Sequence, residues 1–228
     1  MGEVRVAAVV AARNEVDRMG ATVAGLRSIH GVQEVIVADD GSSDPTALAA
    51  LDAGARVIRS ERNAGKGAAL AVAIDAAASS GADVVLLADG DLGSSAAALE
   101  AVLRPVLDGG ADLAVAVPPR PPTGGFGLVR RVSAWLVRRT SGFHAEAPLS
   151  GQRAATAECL RACRPLADGF GVDAAMLADA ARLGFRVVEV PADVTHRFTG
   201  RDVAGFRHRA RQGRDILRAM VPRAVGWR

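Results

Sequence analysis

Val84-Val85-Leu86-Leu87-Ala88-Asp89-Gly90-Asp91 is an apolar run that ends abruptly in two carboxylates. Val35-Ile36-Val37-Ala38-Asp39-Asp40-Gly41-Ser42-Ser43-Asp44 repeats that arrangement earlier in the chain. Short apolar runs bounded by turn residues read as buried strands. Carboxylates packed this densely at strand ends repel one another and resist ionisation unless a cation or hydrogen-bond donors offset the charge. Hard cations such as Mg²⁺ take oxygen ligands, often one or two carboxylates together with substrate phosphates. A metal-assisted nucleotide site is the first expectation.

Similar runs recur on both sides of these two. Residues 4–11, 34–38, 56–58, 83–88 and 113–117 read as strands, and 15–28, 45–53, 66–79 and 94–107 as helices between them. Pro45 after Asp44, and Ser94-Ser95 before an Ala-rich run, fit helix-start chemistry. Strands alternating with helices across short Gly-containing links predict an α/β fold with a mostly parallel, doubly wound sheet. Ligands bind such sheets outside the carboxyl ends of the strands, where both acidic clusters fall. Beyond a Pro- and Gly-rich loop at 118–125 the alternation weakens. Residues 128–140 and 202–220 predict basic amphipathic helices, 171–183 a further helix and 185–190 a strand. Leu128, Val132, Trp135 and Leu136 form the expected apolar stripe of the first, and Phe206, Ala210, Gly213, Leu217 and Met220 that of the last. The whole, 1–228, reads as a single domain, with 1–117 binding a nucleotide and 118–228 forming a second half that ends in a helical extension.

Composition narrows the class. Half of the 228 residues are apolar, which suits a packed core and argues against disorder. The longest apolar stretch, 68–78, is interrupted by Asp75, so no membrane-spanning helix is expected. The start shows no charged region followed by an apolar core and cleavage site, so secretion is not expected. Cys159 and Cys163 are read as free structural thiols in a reducing compartment. Residues 1–115 hold 16 acidic and 9 basic side chains, a net −7, whereas 116–228 hold 9 and 19, a net +10. A basic half attracts phosphate-bearing or membrane-surface partners. Lys66, in Asn63-Ala64-Gly65-Lys66-Gly67, is the only lysine among 28 basic residues.

Asp89 and Asp91 stand two apart, which in an extended chain places their β-carbons about 7 Å apart on one side. Gly90 permits a turn that brings the carboxylates together. With Ala11-Ala12-Arg13-Asn14-Glu15, Asp39-Asp40-Gly41-Ser42-Ser43-Asp44 and Asn63-Ala64-Gly65-Lys66-Gly67, this order of motifs resembles glycosyltransferase family 2, whose members have the GT-A fold. Ala11 departs from the proline usual at that position. The resemblance implies a metal site at Asp89 and Asp91. It implies nucleotide-sugar contacts from Ala11, Arg13, Glu15, Asp39, Asp40, Lys66, Asp89 and Gly90. Pro148-Leu149-Ser150-Gly151-Gln152-Arg153 is similar to the acceptor-side loop of the polyprenyl-phosphate sugar synthase branch, which makes Gly151 and Arg153 candidates for the acceptor or diphosphate. Asp173, in Gly169-Phe170-Gly171-Val172-Asp173, matches a position where an acid serves as catalytic base if the reaction inverts, and positions substrate if it is of a retaining type. Thr195-His196-Arg197-Phe198 resembles the late histidine segment of glucosyl-3-phosphoglycerate synthases. His196 would there complete the metal shell, and Arg197 and Arg201 would clamp a diphosphate or anionic acceptor.

The implied reaction is transfer of a sugar from a UDP- or GDP-linked donor, with Mg²⁺ or Mn²⁺, to a polyprenyl phosphate or a small phosphorylated metabolite. A cytoplasmic location follows, with peripheral contact at the inner face of the membrane and a homodimer left open, and no nucleic-acid partner. A P-loop hydrolase fails because Ser60 stands where glycine is needed and Gly67 where a hydroxyl is needed. A dinucleotide-binding fold lacks its Gly-x-Gly-x-x-Gly. The alternatives kept are a sugar nucleotidyltransferase, which would want a Gly-rich loop with Arg and Lys after strand one, and an inactive nucleotide-binding adaptor at a membrane surface.

Overall fold

The central strands β1 (Val6–Ala12), β2 (Val32–Asp39) and β4 (Val84–Asp89) pair in parallel and carry the acidic turns at their C-terminal ends. The structure, a computed structural model, describes residues 4–119, 126–195 and 203–225, without the side chains of 126 and 203–210. With β3 (Arg56–Arg59), β5 (Leu113–Val117), β6 (Arg153–Thr156) and β7 (Val187–Pro191), these strands form one sheet in the order β3-β2-β1-β4-β6-β5-β7. β6 alone runs against its neighbours β4 and β5.

Alternate residues of each strand serve opposite faces. Val9 and Leu87 join the face covered by helices α3 (Lys66–Ser79), α5 (Phe126–Ser141), α6 (Ala157–Ala162), α7 (Val172–Arg182) and α8 (Val203–Ala224). Val10 and Leu86 join the face covered by α1 (Val16–Arg27), α2 (Thr46–Asp52) and α4 (Glu100–Leu107). Each fully buried aliphatic side chain contributes about 1.5–3 kcal/mol. The central strands, apolar on both faces, are thus the best-anchored part of the molecule, and the strand-end carboxylates inherit that rigidity. The two cysteines are free and buried, as the sequence led us to expect. Among the described residues no helix is long and apolar enough to cross a membrane.

The fold departs from expectation in four places. Arg153 opens a strand rather than closing a loop, because its backbone pairs with Leu87 on one side and Val115 on the other. The first half of the helix expected at 94–107 is a 3₁₀ turn, Gly93–Leu99, where Ser95 Oγ donates to the Leu92 carbonyl at 2.7 Å. In α5 the inward residues are Val129, Val132, Ser133, Leu136 and Val137, while Leu128 and Trp135 face outward. In α8, Ile216, Ala219 and Met220 point inward and Leu217 does not. Of the loop expected at 118–125, residues 120–125 lie outside the described residues.

α7 lies sandwiched between the sheet and α5 and α8, and every side chain from Val172 to Ala180 is buried. Arg223 of α8 reaches Asp179 of α7 with Nε at 3.0 and 2.9 Å from its two carboxylate oxygens, and donates from Nη1 to the Ala219 carbonyl. That buried, multiply bonded pair fastens α8 to the domain.

Candidate active site

Parallel register brings the motifs together. Ala11 stands beside Asp89 across β1 and β4, and Ala12 beside Asp39 across β1 and β2. Asn14 takes a left-handed φ of 56°. Its Oδ1 accepts from Ser43 N at 2.9 Å and its own N–H donates to Ser42 Oγ at 3.0 Å, joining the first-strand turn to the acidic turn after β2. Arg13 projects outward, and Glu15 caps α1 while its N–H donates to Thr46 Oγ1 at 2.8 Å.

The Asp39-Asp40 turn is bonded largely to its own chain. Asp39 Oδ1 accepts from both the N–H and the hydroxyl of Ser42, and Oδ2 lies 3.3 Å from Arg59 Nε. Asp40 accepts from Ala64 N at 2.6 Å and Gly65 N at 2.8 Å, which fixes the loop leading into Lys66. A Cβ at Gly41 would come within 2.9 Å of the Arg62 backbone, so only glycine lets the turn sit against that loop.

The Asp89-Gly90-Asp91 turn is held from α1. Thr22, fully buried, donates from Oγ1 to the Gly90 carbonyl at 3.0 Å and accepts from Gly93 N at 2.8 Å. Arg18 Nη1 donates to the Asp91 carbonyl at 2.9 Å. A Cβ at Gly90 would stand 3.0 Å from Met19 Cε, 3.2 Å from Ala12 Cβ and 3.3 Å from Glu15 Cγ, so a side chain there would force those neighbours to shift. Sequence reading missed Thr22 and Arg18; their phase on α1, facing the strand ends, was the one available signal.

Around Asp89 three further segments converge. Lys66 Nζ lies 2.8 Å from Asp89 Oδ1 and 2.9 Å from Asp173 Oδ2. Gln152 Nε2 donates to Asp89 Oδ2 at 2.7 Å. Burial alone would pull the Lys66 ammonium down; the charges of Asp173 and Asp89, with hydrogen bonds to both, outweigh it and hold the group above its ordinary value. A Cβ at Gly151 would stand 2.6 Å from both Asp89 Oδ2 and Lys66 Nζ, so the floor beside the pair is kept bare by a glycine. Gln152, buried and adjacent to the acceptor-side candidates, is another residue the sequence did not single out.

Arg153 is fully buried. Its Nε donates to the Ser150 carbonyl at 2.8 Å, and neither Nη atom has a hydrogen-bond partner among the described residues. Burial holds its guanidinium below the ordinary value, opposed by the charges of Asp173, Cys163, Asp89 and Glu189. His196, Arg197 and Arg201 lie outside the described residues.

Among the described residues a divalent cation fits the donor set in one manner. Among the described residues no three His, Cys, Asp or Glu side chains converge on a common point. Both Asp89 oxygens already have partners, and Lys66 supplies a positive charge beside them. The oxygen chemistry therefore suits an ion held by one or two carboxylates and completed by substrate phosphates, not an all-protein cage.

The parallel sheet with acidic turns at its strand ends defines an α/β protein of the GT-A type. The chain belongs to glycosyl transferase family 2, whose model matches residues 7–159. It is 30% identical over 201 residues to the glycosyltransferase AglJ of Haloferax volcanii, a match covering 83% of this chain. Identity is 32% over 209 residues to a glucosyl-3-phosphoglycerate synthase of Mycolicibacterium paratuberculosis, covering 80% of this chain. In both cases the match spans 62% of the relative's length. The glucosyl-3-phosphoglycerate synthase of Mycobacterium tuberculosis, solved with Mn²⁺, uridine diphosphate and phosphoglyceric acid, superposes with a TM-score of 0.81 at 25% identity. That superposition covers 97% of this chain and 78% of the other.

Proposed function

We propose that this protein is a metal-dependent glycosyltransferase that moves a sugar from a nucleoside diphosphate sugar to a phosphorylated acceptor. The observation that carries the reading is the junction of Asp89, Lys66, Asp173 and bare Gly151 at the ends of the central strands. UDP is the favoured donor nucleotide over GDP, because the structural relative is bound to uridine diphosphate.

Residues 1–117 form the donor half and 118–228 the acceptor half of one domain. Ala11, Arg13, Glu15, Asp39 and Asp40 shape the nucleotide side, and Gly90 lets the turn approach closely. Mg²⁺ or Mn²⁺ held by Asp91, with Asp89 and His196 as further ligands, would neutralise the leaving diphosphate as a Lewis acid. Asp173 takes the proton of the acceptor hydroxyl, which requires hydrogen-bond reach between the two. Lys66 keeps Asp173 and Asp89 at a common cation and stabilises charge as the donor departs. Gly151 leaves space for the acceptor, Arg153 adds positive potential from behind it, and Arg197 and Arg201 complete the anion contacts. Free buried thiols and a nucleotide-sugar donor both suit the cytoplasm.

The test is thermal unfolding against UDP-, GDP-, CDP- and dTDP-sugars, each with and without Mn²⁺ or Mg²⁺. A ligand at a hundred times its dissociation constant adds about 2.7 kcal/mol, which shifts the midpoint of a domain this size by roughly 5–10 °C. A metal-dependent shift with one base supports the reading and names the donor. No shift with any nucleotide sugar overturns it.

A further inference from the structure

α5 and α8 form the outer layer over α7 and pack against each other, so their outward faces share one side of the molecule. On α5 that face shows Leu128 at 71% and Trp135 at 61% exposure; on α8 it shows Leu217 at 47% and Val221 at 46%, followed just past the helix end by Val225 at 62%. Isolated exposed apolar residues are ordinary, but four on two adjoining helices, with a fifth just past the end of one, form a patch. Exposed arginines border it: Arg131, Arg138 and Arg139 on α5, and Arg211, Arg214 and Arg218 on α8. α5 contains no acidic residue. The one acid among the described side chains of α8, Asp215, accepts from Phe170 N and pairs with Arg214, largely shielded from solvent.

We propose that this α5/α8 face docks on an anionic lipid surface. An amphipathic helix lying in a membrane interface sinks large apolar residues among the acyl chains and sets arginines at the headgroups. Tryptophan suits that boundary because its ring is apolar and its N–H polar. A second copy of this chain is the poorer occupant, since two such faces would bring arginine against arginine with no acid among the described side chains of the face to answer them. The inward side of α8 packs on the Gly169–Gly171 turn, which runs directly into Asp173. Docking through the outward side therefore sets the catalytic end of the sheet close to the headgroups without covering the strand-end site.

Flotation of the 1–228 chain with vesicles reads this without any substrate, so its outcome is independent of the transferase reading. Phosphatidylcholine vesicles doped with phosphatidylglycerol should carry the protein at low salt, pure phosphatidylcholine should not, and added salt should release it. Trp135→Glu on α5, and separately Arg214→Glu with Arg218→Glu on α8, should each weaken binding by about tenfold or more. All three positions are exposed, so the wild-type melting temperature is expected and serves as the folding check. Absence of flotation on anionic vesicles overturns the proposal, as does flotation that neither variant weakens. So does a dimer in solution that Trp135→Glu dissolves, which would make the face a contact between copies.

Discussion

Gln152 Nε2 donates to Asp89 Oδ2 at 2.7 Å, while the other oxygen of the same carboxylate faces Lys66 at 2.8 Å. The Gln152 carbonyl in turn accepts from Ala116 N at 2.9 Å, so the donor side chain stands on backbone bonded to the sheet. Asp89 is thereby oriented from both sides, which is how a supporting shell sets the precision of a reacting or ligating group.

Gln152→Leu keeps the volume and removes the hydrogen bond. Affinity for metal with uridine diphosphate should fall about 10–100-fold, measured by calorimetric titration, with little change in melting temperature. Gln152→Glu should be worse, because a second carboxylate would then face Asp89. Unchanged affinity in both variants would show that Lys66 alone positions the acid.

Lys66→Met removes the cation from between Asp89 and Asp173. Breaking a buried pair costs about 3–5 kcal/mol. Here the Asp89 side chain is 27% exposed, so water recovers part of that, and a loss of about 2–3 kcal/mol is expected. Since the two acids are left without their ammonium, Mn²⁺ should stabilise Lys66→Met more than it stabilises the wild type. Equal metal-induced shifts in a melting experiment would mean that ion and ammonium do not compete for the same carboxylates.

The strand-end acids were legible because period and turn chemistry coincide there: an apolar run, then Asp-Gly-Asp, admits few other readings. β6 was not legible, since Arg153-Ala154-Ala155-Thr156 has neither β-branched alternation nor length and is a strand only because β4 and β5 flank it. The phase of α5 misled for a related reason. Leu128 and Trp135 are seven apart and look like a seam, but Val129, Leu136 and Val137 meet the core and the larger pair is left outside. Gln152 and Thr22 carry no motif of their own. What they do depends on which carbonyl or carboxylate the fold sets opposite them.

Thr22→Val tests the support of the Asp89-Gly90-Asp91 turn from beneath. The substitution is close in shape but leaves the Gly90 carbonyl and Gly93 N–H without their shared hydroxyl. Each unsatisfied buried group costs about 1–3 kcal/mol, so the two together cost about 2–6 kcal/mol, and a melting temperature lower by roughly 4–24 °C is expected. Thr22→Ser keeps the hydroxyl and should recover most of the loss. If valine and serine behaved alike, the turn would not be hanging on that oxygen.

Asp112 offers a pH-resolved test of how β7 is held at the sheet edge. Arg186 donates to it three times, from Nη2 to Oδ1 at 2.8 Å, from Nε to Oδ2 at 3.0 Å and from its backbone N–H to Oδ2 at 2.8 Å. Those bonds, with burial opposing and the guanidinium charge assisting, hold the Asp112 carboxyl below its ordinary value of 3.8. In that window the unfolded chain binds more protons than the folded one, so stability rises with pH. The contribution is fully present above 3.8 and disappears as pH falls through the lower, folded-state value. Urea unfolding of wild type and Asp112→Asn should therefore differ by a constant amount from neutrality down to about pH 5 and converge at more acid pH. Because Arg186 is largely exposed, the neutral-pH difference should also shrink in high salt. A difference that persisted undiminished into acid would assign the effect to packing around Asp112 and not to its charge.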